Sequence, residues 1–112
     1  MKIDAEQRGM LARMERAHAE GARHLAVIER QIEARAERMT TSSRVKARQH
    51  GRASATWSRA DERDFQVNVT ALRFARRGDI DALSRKLARQ AGANAAFRVR
   101  QWSNEPAGES VS

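Results

Sequence analysis

The sequence predicts an all-α protein in which a long N-terminal helix is followed by a basic connector and a small C-terminal unit of two or three helices. Three observations carry this prediction. Residues 4–39 contain no proline and repeat apolar side chains at helical spacing. From Ser58 onward, helix start and stop residues alternate at helix-length intervals. Only one short stretch, Phe65–Thr70, shows the strict alternation of a strand.

The totals fit a single small domain, or a domain plus an arm, over residues 1–112. Five residues are aromatic (Trp57, Phe65, Phe74, Phe97 and Trp102), so the core is small and association is a natural way to enlarge it. The absence of cysteine excludes disulfides and thiolate metal sites. No apolar run approaches the ~20 residues of a membrane span, and no signal-peptide pattern opens the chain, so the expectation is a cytoplasmic protein without membrane contact. The formal net charge is +8, carried by 22 basic against 14 acidic residues. Such an excess argues for a polyanionic partner rather than for any fold. Nineteen of the basic residues are arginine, whose planar fork holds two phosphate oxygens at once.

The first element, residues 1–39, reads as a long amphipathic, coiled-coil-like arm. Asp4 is positioned as its cap, and Leu11, His18, Leu25, Ile32 and Met39 recur every seven residues, with Met14, Gly21 and Ile28 at the intervening positions. Ala17 and Gly21 leave room for close approach of another helix. Positive and negative charges nearly cancel here, and pairs such as Arg16 with Glu20 meet across one helical turn. The stripe is narrow, so the helix is expected to pack on the C-terminal half, on a second copy or on a partner protein. His18, Glu20 and His24 form a poor metal set without a third strong ligand, and no metal or cofactor is expected.

The connector, residues 40–59, reads TTSSRVKARQHGRASATWSR and holds five cations without an acidic residue. Thr40–Ser43 mark an interruption, after which a short helix runs to about His50 and is closed by Gly51. A solvated linker has the same composition. The missing counter-charge and the adjacent Trp57 suit a phosphate backbone and a stacked base, although for Trp57 an anchor to the core is the favoured role.

The C-terminal unit spans 58–104. Ser58 and Asp61 have capping-box spacing. Phe65, Val69, Leu72 and Ala75 share a face that Gly78 closes. Asp79 opens a second helix with Ile80, Leu83, Leu87 and Ala91 inward and Gly92 as its stop. Asn94 is placed to cap a third helix through Phe97 and Trp102. Pro106 and the polar tail, residues 105–112, read as disordered. Asp61, Glu62 and Asp64 suit a helix N-terminus better than a catalytic cluster. Nothing in the chain has the pattern of an enzyme site.

Two segments resemble DNA-binding families. Leu83–Asn104 is similar to a helix-turn-helix unit, which implies that Asn94 caps a recognition helix presenting Arg98, Arg100 and Gln101 to the major groove. Arg98 stands where that family places an apolar core residue. Gln66, Asn68 and Thr70 look like the strand triplet of ribbon-helix-helix proteins, which implies a short strand over 65–70 and a dimer reading bases. Leu72–Gly78 is surplus to that pattern.

The function expected is nucleic-acid binding, DNA before RNA, by a small accessory or regulatory factor. Its phosphate contacts are Arg44, Lys46, Arg48, Arg52 and Arg59, extended by Arg73, Arg76, Arg77, Arg98 and Arg100. The alternative is a helical protein-interaction module, such as a ribonucleoprotein subunit or a phage- or plasmid-encoded inhibitor, working through the first helix or as a homodimer.

Overall fold

A computed structural model describes residues 5–49 and 56–103, with only the backbone described at 47–49 and 103. The chain is all-helical: a long N-terminal helix α1 (Ala5–Gln49), then α2 (Arg59–Ala75) and α3 (Arg77–Ser103). Contacts divide it into two compact units, one of Met1–His24 with Ala82–Ser112 and the other of Leu25–Asp81. The expected cap at Asp4, the stop at Gly51 and the tail at 105–112 lie outside the described residues.

The Leu25–Asp81 unit pairs the second part of α1 antiparallel with α2: Glu29 meets Arg73, Thr40 meets Asn68 and Arg44 meets Asp61. Its core is a row on α1 at four-residue steps, Ile28, Ile32, Ala36 and Thr40, each at most 3% exposed, with Ile80 buried at the start of α3. The seven-residue repeat therefore holds only to Ile32. Beyond it the buried row steps by four, and Met39, expected on the seam, is exposed.

The helix does not break at Thr40–Ser43 as its residue types suggest. Thr40 is buried in mid-helix, where its hydroxyl donates to the Ala36 carbonyl at 2.8 Å and accepts from Asn68 Nδ2 at 3.0 Å. A buried hydroxyl bonded on both sides carries no desolvation penalty that would force the chain out of the helix. The connector expected over 40–59 is thus α1 itself as far as Gln49, and no separate short helix forms there.

Residues 65–70 are helical, and the strand alternative falls. Phe65, Asn68, Val69 and Leu72 are half-buried, at the three- and four-residue spacing of one helical face, while Gln66, Val67 and Thr70 are exposed. With no strand, the ribbon-helix-helix resemblance has no structural counterpart. Arg76 alone separates α2 from α3. Its backbone (φ −107°, ψ 15°) departs from helical values while its N–H still reaches the Leu72 carbonyl. α3 accordingly begins at Arg77, two residues before the expected cap at Asp79.

The other unit pairs residues 5–24 of α1 antiparallel with residues 82–103 of α3, as Glu15 meets Arg98 and Gly21 meets Leu87. On α3 the inward positions follow a clean three–four alternation: Leu83, Leu87, Gln90, Asn94, Phe97 and Gln101. Half of them are amides. A Cβ on Gly21 would lie 2.8 Å from Leu87 Cδ2, so this glycine lets the two backbones approach. α3 continues through Gly92 and Asn94. The C-terminal unit thus has two helices, Asn94 caps nothing, and the helix-turn-helix resemblance lacks its turn.

Because Gly92 is in a helix interior with open space around its Cα, Gly92→Ala is expected to stabilise the protein by up to ~1 kcal/mol. This corresponds to a thermal midpoint higher by about 4–8 °C, followed by circular dichroism. A glycine forming a helix-turn-helix turn would give the opposite sign.

Candidate nucleic-acid interface

The ten cations expected to meet phosphate are held in different ways. Arg44 is the most constrained. Its Nε lies 3.1 Å from Asp61 Oδ2, its guanidinium stands 5.4 Å from the centre of the Trp57 ring, and both partners of the ion pair keep only 14% of their side-chain exposure. Local sequence builds this cluster. Ser58 caps α2, its N–H donating to Asp61 Oδ2 at 2.7 Å and its hydroxyl accepting from Asp61 N at 3.1 Å. The expected capping box is therefore present, with aspartate filling the role of the usual glutamate. Trp57 packs edge-on against Phe65 and donates to Glu62 at 3.1 Å. It is an anchor of the α2 start, and its indole N–H is already committed.

Asp61 is held below the ordinary carboxylate pKa first by the Ser58 backbone N–H, and further by the Ser58 hydroxyl and the Arg44 charge, against an opposing effect of burial. Glu62 is lowered by the Gln66 amide first and by Trp57 second.

Elsewhere the pairings are looser. Arg73 bonds Glu29, and Arg98 bonds Glu15, but these side chains are 33–59% exposed. Exposed pairs contribute ~0–1 kcal/mol and exchange readily with another anion. Arg76 donates to Gln31 at 3.1 Å. Arg77 donates to the Phe74 carbonyl and covers the Phe74 ring at 3.9 Å. Arg100 lies 5.7 Å from the Phe97 ring centre. Lys46 and Arg59 are exposed. Arg48 is in α1, but its side chain lies outside the described residues, as does all of Arg52.

Sequence reasoning overlooked a second group. Arg85, Lys86 and Arg89 occupy consecutive turns of α3, all exposed, with no carboxylate partner among the described residues. From Ala82 to Ser103 the chain has five cations and no acidic residue. Residues 5–24 add Arg8, Arg13, Arg16 and Arg23 against Glu6, Glu15 and Glu20. The described part of the Met1–His24 and Ala82–Ser112 unit thus carries nine cations and three carboxylates. That of the Leu25–Asp81 unit carries eleven and eight. Over the full sequence the first unit holds ten cations and six carboxylates and the second twelve and eight, so the two carry the same net charge.

His24 lines an open groove with Glu20, Gly21, Lys86 and Gln90, and no group of three metal-ligating side chains occurs among the described residues. No described helix is long and apolar enough to cross a membrane. Comparison with protein-family models, with curated proteins and with solved structures gives no match.

The two lowered carboxylates set a pH dependence. Their folded pKa values lie below the ordinary 3.8 and 4.5. Their stabilisation is therefore complete above those values and is lost as pH falls through the depressed folded ones. Asp61→Asn with Glu62→Gln is expected to lower the melting temperature at neutral pH and to flatten its fall below about pH 4. Thermal scans across acid pH check both parts. Ser58→Ala is expected to cost ~1 kcal/mol at neutral pH through the lost cap.

Proposed function

We propose that the chain binds the phosphate backbone of nucleic acid through the exposed cations of α3, chiefly Arg85, Lys86, Arg89 and Arg100. The observation that carries this reading is the charge of Ala82–Ser103, five cations on one stretch of helix that contains no acidic residue, with Arg98 alone among them paired to a described carboxylate, Glu15 of α1. Arg85 and Arg100 are about 22 Å apart along the helix axis, a length that covers some six phosphates at the 3.4 Å spacing of one strand.

Arg98 stands on another face of α3, bonded to Glu15 of α1, and lies outside the row. Trp102, 78% exposed, offers an aromatic face one turn beyond Arg98 on which an unpaired base can stack. Arg44 is removed from the candidate surface by its commitment to Asp61 and Trp57. Lys46 and Arg59 remain available as secondary contacts. The mechanism is electrostatic capture with counterion release. Nothing in the arrangement reads base edges, so binding is expected to be independent of sequence.

Titration of labelled duplex, single-stranded DNA and RNA at several salt concentrations tests the proposal. Neutralising Arg85, Lys86 and Arg89 to glutamine is expected to reduce affinity at least tenfold and to lower the slope of log affinity against log salt by about 2–3. Removing the same charge at Arg30, Arg35 and Arg38, which lie among Glu29, Glu33 and Glu37 on α1, is expected to have a much smaller effect. Equal losses from the two triple variants would show attraction by net charge alone. Absence of binding at low salt would redirect the function to a protein ligand.

A further inference from the structure

The outward side of α2 carries a second stripe, opposite the one buried against α1. Val67 and Phe74 are 66% and 64% exposed, and with Gln66, Thr70 and Ala71 they line a shallow apolar groove. Asp64, Val67, Ala71 and Phe74 follow the three–four–three spacing of a helix-pairing seam. The centre of the stripe is small, at Thr70 and Ala71, which permits a second helix to approach to about 8 Å. Its polar groups are satisfied within the chain: the Thr70 hydroxyl donates to the Gln66 carbonyl, and the Gln66 amide to Glu62. Covering this face would orphan neither of them.

The charges at its two ends are opposite. Asp64 flanks the groove at the N-terminal end. At the other end the Arg77 guanidinium stacks on Phe74, which fixes it on the same face. A two-fold axis passing between Thr70 and Ala71 places Val67 against Phe74 of a second α2 and Asp64 against its Arg77, twice over. The helix dipoles also oppose one another in that arrangement. A parallel pair would instead set Asp64 against Asp64 and Arg77 against Arg77. The stripe is thus complementary to itself in one orientation.

From this we infer that the occupant of the groove is a second copy of the same chain, paired antiparallel through α2. The expected homodimer interface is therefore not the seam of the first helix, whose Ile28 and Ile32 are buried within the chain. A single helix pair lies at the small end of specific interfaces, so association is expected in the micromolar range.

Sedimentation equilibrium of the full chain from low to high micromolar concentration tests the inference, with circular dichroism confirming that each variant is folded. Wild type is expected to pass from monomer to dimer. Val67→Asp with Phe74→Ala, both at exposed positions, is expected to weaken dimerisation at least tenfold. Asp64→Lys and Arg77→Glu each place like charges opposite one another and are expected to be monomeric alone. Mixed in equal amounts, they form two correct pairs and are expected to restore a heterodimer. A wild-type monomer throughout the range would overturn the proposal. So would a dimer insensitive to the Val67 and Phe74 changes, which would locate the interface elsewhere. Single charge variants that dimerise like wild type, or that fail to rescue each other when mixed, would overturn the antiparallel register.

Discussion

A threonine hydroxyl, buried in mid-helix and bonded on both sides, is the constraint on which the Leu25–Asp81 unit depends. Thr40 completes a row of small and branched side chains, and Asn68 closes its hydrogen bonding from α2. Without Asn68 the hydroxyl would still have the Ala36 carbonyl, whereas without the hydroxyl Asn68 would lose its acceptor in a half-buried position. The pair sets the register of α2 on α1. That register brings Asp61 beneath Arg44 and Arg73 beside Glu29. One polar contact in a thin core therefore determines which cations are neutralised.

The consequence for function is a redistribution of charge. Counting along the chain, residues 40–59 are the most basic stretch. In the folded molecule its first arginine, Arg44, is held by the cap of the next helix and by an indole ring. The cations of α3 from Arg85 onward are more widely spaced in sequence, and no acidic residue lies among them on that stretch of helix. A positive surface is defined by what stands beside each cation as well as by charge density along the chain.

Features encoded within a few residues were legible. The Ser58–Asp61 capping box, the apolar face of α2 and the stop near Gly78 all depend on neighbours in sequence. The helical class followed from them. What escaped depends on residues far apart. Thr40–Ser43 carry the composition of a break, and the partner that keeps Thr40 in the helix is 28 residues away. Gly92 and Asn94 carry the signature of a turn, yet α3 runs through both against α1. Arg85, Lys86 and Arg89 were detectable through the lack of any acidic residue between Ala82 and Ser103, a signal hidden by the denser cluster upstream.

The amide-rich seam of α3 has its own consequence. Gln90, Asn94 and Gln101 occupy positions that aliphatic side chains would fill in a tightly zipped pair, and Gln90 Oε1 and Gln101 Nε2 are buried without a protein partner. Such a seam holds its helices with little apolar adhesion and defines their sliding register weakly. Deuterium should therefore enter the backbone of residues 90–101 earlier than that of Ile28–Thr40, where the dry row lies. The stretch of α3 that lacks acidic residues is then also one weakly held to its neighbour, and a polyanion that grips it would be read out as slowed amide exchange.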